Sequence, residues 1–244
     1  VKSDYQKKID LYGDGKCTVE YVQHMGDDLT IVNAARVSFG KHKMELDKKD
    51  KKLIKYLINH KHTSTFEHCQ VTFRCTVPLF VRSQHHRHRT FSYNEISRRY
   101  TDFNLEFYEP KYFRTQHKSN RQASNSDAIN PEIDIRIGTG ELKGYYKNKA
   151  SHVIKRFHAD AIKLFDAMLN AGVCREQARG VLPQNLLTEY YASANLNNIL
   201  KFIDLRAHEG AQWEIQQLAK GMLEIVSDLF PEAIKAYTER SGRN

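Results

Sequence analysis

The 244 residues carry 38 Lys and Arg against 29 Asp and Glu, a formal charge of +9, with 40% hydrophobic and 27% charged side chains. This is the balance of a soluble globular chain long enough for one sizeable core, and it excludes a membrane-spanning helix, because no run approaches the roughly 20 apolar residues that a bilayer demands. The stretch from Val1 to Leu11 is too polar for a secretory signal. Cys17, Cys69, Cys75 and Cys174 show no CxxC spacing, which argues against a zinc site or redox dithiol and fits a reducing cytoplasm. The positive excess attracts anions. Nucleic acid, nucleotides, dinucleotide cofactors and polyglutamylated folates all qualify, as does a basic surface that serves only solubility.

Asp27 or Asp28 can cap a first helix through Ile31, Val32, Ala35 and Val37. Asp50 is expected to begin a second, with Leu53, Ile54, Leu57 and Ile58 on one face. Cys69–Cys75 alternates apolar and polar like a half-buried strand, its two thiols facing one side. Thr76 and Pro78 open a helix through Leu79, Phe80 and Val81 that ends near Gln84–Arg87. A polar, aromatic-rich loop runs to Tyr100, and Phe107 with Tyr108 reads as a short strand. Residues 115–145, rich in Ser, Asn, Lys and Gly, are expected as a mobile loop or insertion.

A long amphipathic helix follows, predicted to bury Val153, Ile154, Phe157, Ala161, Phe165, Met168 and Leu169 and to stop at Gly172. A short helix holds Arg175–Val181, and Pro183 ends it; Leu186–Ala194 reads as a strand. Asn195 caps a helix through Ile199, Leu200 and Ile203, and a last helix runs from about Ala211 to Leu229. No linker separates two apolar halves, so one domain spanning residues 1–244 is expected. Helices with a few strands and no βαβ rhythm predict an α+β fold, a central mostly antiparallel sheet packed by long helices.

The densest chemistry lies between Gln84 and Tyr100. Arg87, Arg89, Arg98 and Arg99 fall within thirteen residues, beside Gln84, Asn94, Glu95 and Ser97. Guanidinium groups bind phosphate bidentately and stay charged, and a neighbouring hydroxyl completes a cradle. On composition alone, a solvated basic loop that touches nucleic acid explains the segment equally well. His85, His86 and His88 cluster, as do His60, His62 and His68. A structural zinc site normally adds Cys or acidic ligands at set spacing, so no metal is assigned, and His60, His85 and His86 are read as surface residues. Tyr190, Tyr191 and Trp213 are read as core.

The order of the motifs adds a resemblance. Arg87-His88-Arg89, seven residues and then Ser97 is similar to the signature of flavin-dependent thymidylate synthases, and the likeness continues through Asn94, Glu95, Arg99 and Tyr100. Asn33–Phe39, His62–His68, Arg179–Pro183 and Leu205-Arg206 with Ala211–Glu214 resemble further family segments in the same order. The resemblance implies a homotetramer with sites shared between subunits. It implies FAD as cofactor, with NADPH and 5,10-methylenetetrahydrofolate as co-substrates for methylation of dUMP to dTMP. No membrane or nucleic-acid partner is expected. Carried over, Gln84 and Arg87 contact dUMP; Glu95, Ser97 and Arg99, with Arg98, form its phosphate and sugar site. Arg179 and Arg206 reach the nucleotide from the later motifs, Arg206 as the catalytic group against the uracil ring. His62, Ser64, Arg87, His88, Arg89 and Glu95 hold FAD, completed by Asn195, Asn197 and Lys201. The family often has Arg where this chain has Asn197, Asn where it has Lys201, and His where it has Gly210. The alternative, a basic nucleic-acid-binding protein, explains the arginine loop but not the distant Arg179 and Arg206 motifs.

Overall fold

The computed structural model describes residues 5–101, 105–137 and 144–242. In chain order the elements are β1 (Lys8–Asp10), β2 (Thr18–Met25), α1 (Asp28–Arg36), α2 (Lys48–Asn59), β3 (Gln70–Pro78), α3 (Leu79–His85) and β4 (Ser92–Glu95). Then come β5 (Phe113–Gln116), β6 (Ser124–Ile129), β7 (Glu132–Ile137), β8 (Gly144–Lys149), α4 (Ala150–Asn170) and α5 (Arg175–Ala178). The chain closes with β9 (Leu187–Asn195), α6 (Leu196–Arg206), α7 (Trp213–Leu229) and α8 (Pro231–Ser241). The α+β class holds. The chain groups into two compact units, one comprising residues up to Thr76, Ser83–Glu95 and everything from Glu189 on, the other Val77–Arg82 and Ile96–Thr188.

The first unit is built on a five-stranded sheet in the order β1-β2-β3-β9-β4. The β1–β2, β2–β3 and β4–β9 pairings are antiparallel, with Val19 opposite Cys75 and Tyr93 opposite Ala192. Period-two alternation buries Val71, Phe73 and Cys75 on β3 and Tyr190, Ala192 and Ala194 on β9. Helix α7 lies close over β2, because Gly221 has no side chain: a Cβ there would stand 2.7 Å from Val19 Cγ1.

Capping explains where the helices begin. Asp27 accepts from Thr30 N at 2.7 Å at the head of α1. Helix α2 starts at Lys48, not at Asp50: Asp47 is its cap, and Asp50 sits three residues in, returning a bond to Asp47 N at 3.0 Å. Asp50 is fully buried and paired with Arg36 and Lys43, which hold its carboxyl below the usual range although burial alone would raise it. Helix α8, which periodicity did not predict, starts at Pro231. The buried Asp28 carboxylate accepts Glu232 N at 2.9 Å and Ala233 N at 3.0 Å, a cap supplied from more than 200 residues away.

The second unit gathers Phe107, Phe165, Ala178, Leu182 and Leu186 into a core against α4. Phe157, expected to face inward, is 56% exposed, and His158 takes the buried position instead, stacked on Phe107 and bonded to Glu109 Oε1 at 3.0 Å. Phe107 makes only an isolated bridge to Leu186 rather than a strand with Tyr108. The segment 115–145 is strand-paired over most of its described part, as the antiparallel hairpins β5–β6 and β7–β8; residues 138–143 lie outside the described residues. Among the described residues no helix is long and apolar enough to cross a membrane.

Candidate functional site

In the first unit, the arginine-rich motif begins as α3 ends. Its last carbonyls lack helical partners, so the chain tightens: Arg87 N donates to Gln84 O at 3.4 Å, His88 N to His85 O at 3.0 Å and Phe91 N to His88 O at 3.2 Å. The turn projects Arg87 and Arg89 into solvent and leaves His88 half-buried. Residues 92–95, expected as loop, form β4 and pair with β9, so the far end of the turn is anchored on the sheet. Glu95 lies there, opposite Tyr190.

Arg206, the last residue of α6, reaches this turn. Its Nε donates to His88 Nε2 at 3.0 Å and its Nη2 to Gln84 O at 3.4 Å. Burial and the Arg206 charge push His88 down to about 4. A neutral ring accepting at Nε2 carries its proton on Nδ1. Burial and the nearby Arg87 charge lower Arg206 as well, though a guanidinium remains a cation in water. Gln84 Nε2 donates to Gln212 Oε1 at 2.5 Å, and Gln212 Nε2 to the buried Glu214 at 2.9 Å. Behind the turn, His85 is wholly buried rather than superficial, bonded through Nδ1 to Tyr190 Oη at 2.9 Å and packed on Phe202. Burial holds it well below the usual imidazole range. Tyr190 is core as expected, whereas Tyr191 is 48% exposed.

A cavity of about 240 Å³ opens elsewhere in the same unit. Its apolar lining includes Leu57, Ile58, Phe66 and Leu200, and its polar lining includes Lys61, His62, Asn197, Lys201 and Arg240. His62 follows Lys61, whose positive φ of 56° turns the chain out of α2. Asn195 caps α6, accepting from Asn198 N at 2.9 Å, and one turn of that helix sets Asn197 and Lys201 beside the cavity. Asn197 is buried and donates to Glu67 Oε1 at 2.9 Å. Ser64, itself exposed, begins the 3₁₀ turn Ser64–His68, whose Thr65 and Phe66 are buried, and it does not line the cavity as Phe66 does.

The remaining assigned residues belong to the second unit. Ser97 Oγ accepts from Arg99 N at 3.3 Å, a bond within its own loop. Arg98 donates to Leu187 O at 3.3 Å, and Arg99 stands 3.8 Å from Glu176, three residues before Arg179. The structure thus groups Gln84, Arg87 and His88 on one turn that Arg206 reaches from α6, His62, Asn197 and Lys201 on one cavity, and Ser97 and Arg99 on one loop, with Arg99 facing Glu176 of the short helix just before Arg179. Tyr93, Glu67, Gln212 and Glu214 carry contacts to these residues without having been singled out; their presence inside the matched segments was the available signal. Among the described residues no three His, Cys, Asp or Glu side chains group as metal ligands.

The family described as thymidylate synthase complementing protein matches residues 20–232. A flavin-dependent thymidylate synthase from Thermus thermophilus is 42% identical over 221 residues, covering 91% of this chain and 75% of that protein. One from Thermosipho melanesiensis is 38% identical, covering 91% of this chain and 90% of its own length. Among solved structures, the UMP/dUMP methylase PolB from Streptomyces cacaoi, bound with 5-Br UMP, superposes with a TM-score of 0.74 at 28% identity, covering 92% of this chain and 94% of that one.

Proposed function

This chain belongs to the thymidylate synthase complementing protein family, and on that premise we propose that its Arg87–Arg89 turn and Arg206 form the ring end of a dUMP site. The reaction is reductive methylation: dUMP, methylenetetrahydrofolate, NADPH and a proton give dTMP, tetrahydrofolate and NADP⁺. FAD, when bound, carries the reducing equivalents from NADPH to the one-carbon chemistry.

The observation that carries the reading is the Arg206–His88 bond. C5 of uracil is a better nucleophile when N3 is deprotonated. Arg206 stays charged and so stabilises the ring anion rather than removing the proton. His88 takes the Nε–H edge of the guanidinium, which leaves Nη1 for the ring. Gln84 and Arg87 flank the base and sugar. Ser97, Arg98, Arg99, Arg179 and Glu95 hold the phosphate and sugar, with Ser97 as a ligand and not a nucleophile, since among the described residues its Oγ is bonded to the Arg99 N–H and to no base.

The cavity residues fit the cofactor. An apolar lining with Lys61, His62, Lys201 and Arg240 at its walls suits a flat ring system tied to phosphates. Asn197 and Lys201 hold one wall, Asn195 fixes the start of α6, and Ser64, Arg87, His88, Arg89 and Glu95 complete the site. The chain works as a homotetramer with sites shared between subunits, which gives the split set of ligands a common destination. Four free cysteines suit a cytoplasmic setting.

The test is direct. Purified protein with micromolar FAD should quench flavin fluorescence, and with NADPH and methylenetetrahydrofolate it should convert dUMP to dTMP. Absence of both flavin binding and dTMP defeats the reading.

A further inference from the structure

We propose that Tyr93 is a positioning residue for this reaction, its hydroxyl bracing the turn so that His88 holds Arg206 toward the ring. The proposal rests on the dUMP reading above. Tyr93 stands on β4 opposite Ala192, so the sheet fixes its backbone. Its hydroxyl lies 2.7 Å from His85 O and 3.1 Å from His88 O. Those carbonyls flank the turn at its two ends: His85 closes α3, and His88 is the middle residue of Arg87-His88-Arg89. One phenol therefore ties together the end of a helix and the residue that accepts Arg206. The same carbonyls also accept His88 N and Phe91 N, so the hydroxyl tightens a turn already half-formed.

The side chain is held to that task. Its ring stacks on Phe91 and lies 4.1 Å from the His86 ring, so the hydroxyl cannot swing away. Burial, reinforced by nearby Cys75, keeps the phenol protonated well above its ordinary range, and a protonated phenol is the form that donates. From the hydroxyl the path runs through the His88 backbone to its ring, then 3.0 Å to Arg206 Nε. A guanidinium is planar, so fixing its Nε edge sets the plane in which Nη1 and Nη2 point. Misplacement of a charged group by a fraction of an ångström weakens its stabilisation of the transition state while leaving ground-state binding almost intact.

Tyr93→Phe removes only the hydroxyl. In the flavin-loaded enzyme it should lower kcat about tenfold, with KM for dUMP changed less than about twofold. Tyr93→Phe added to Arg206→Lys should lower kcat no further, because the brace acts through the guanidinium. An unchanged kcat in Tyr93→Phe overturns the proposal. So does an equal fold-loss in both backgrounds, which is what a purely structural tyrosine gives. Should Tyr93→Phe not fold, His88→Ala and His88→Gln carry the test, each measured per bound flavin. His88→Ala should be non-additive with Arg206→Lys, and His88→Gln, which restores an acceptor, should recover part of the rate; additive losses or no recovery overturn it. The unaltered enzyme's dTMP formation tests the function separately. ¹⁵N-histidine spectra test the brace without turnover: His88 should be the neutral Nδ1–H form, shifted in Tyr93→Phe, and an unshifted ring counts against the proposal.

Discussion

His88 makes stability depend on pH, and the size can be worked out. Its ordinary value is 6.5, and in the folded protein burial and Arg206 bring it to about 4. The depressed value means that the unfolded chain takes up this proton first as pH falls. The native state therefore keeps its full stability above about pH 6.5 and loses it as the pH falls toward 4. Between pH 7 and pH 5 the linkage amounts to about 2 kcal/mol, and screening at a half-buried ring reduces it to about 1 kcal/mol. His88→Gln keeps an acceptor for Arg206 and removes the titration. Urea unfolding of the apo protein at pH 7 and pH 5, at one protein concentration, gives both differences. The variant should lose about 1 kcal/mol less than the parent over that interval. His85 and every other titrating group are common to both proteins and cancel. Equal losses in parent and variant would show that His88 is not held neutral in the folded protein.

Three further outcomes are expected. Gly221→Ala places a Cβ 2.7 Å from Val19 Cγ1 and 3.1 Å from Leu11 Cδ2, so α7 must shift and thermal unfolding should report a loss of about 1–3 kcal/mol. Arg206→Ala should lower kcat for dTMP formation, whereas Ser97→Ala should mainly raise KM for dUMP; a Ser97 variant that binds dUMP normally yet cannot turn over refutes its role as a phosphate ligand. Replacing all four cysteines should leave activity per flavin-loaded subunit: Cys17, Cys69 and Cys75 are buried with thiols raised by burial, Cys69 to about 12, and only Cys174 is exposed. A folded, flavin- and dUMP-binding variant that makes no dTMP shows that a thiol is required.

Local signals located most of the elements. The strand through Cys69–Cys75, the Asn195 cap, the Gly172 stop with its φ of +89° and the Pro183 break each follow from side-chain chemistry within a few residues. What escaped was fixed from far away. Helix α8 begins where Asp28 supplies the cap, and β4 exists because β9 offers it a partner nearly 100 residues later. Phe157 and His158 compete for one buried place on α4, and the apolar ring loses because Phe107 and Glu109 give the imidazole both a stacking face and an acceptor. Periodicity ranks residues by hydrophobicity and cannot see such a partner.

The same limit governs the site. The types and order of Arg87, His88, Arg89, Ser97 and Arg206 were visible in the chain, because phosphate and ring chemistry demand those groups. Their coupling was not. His88 could be read as a flavin ligand, yet the structure gives its Nε2 to Arg206. The two roles are compatible only if the imidazole stays neutral, since a protonated ring has no lone pair for Arg206 and repels it. Burial and Arg206 itself enforce that neutrality. The histidine between two arginines is therefore more than an extra cation for anionic ligands. It is the uncharged acceptor that lets one guanidinium be oriented without being neutralised, which a carboxylate at the same position would not do.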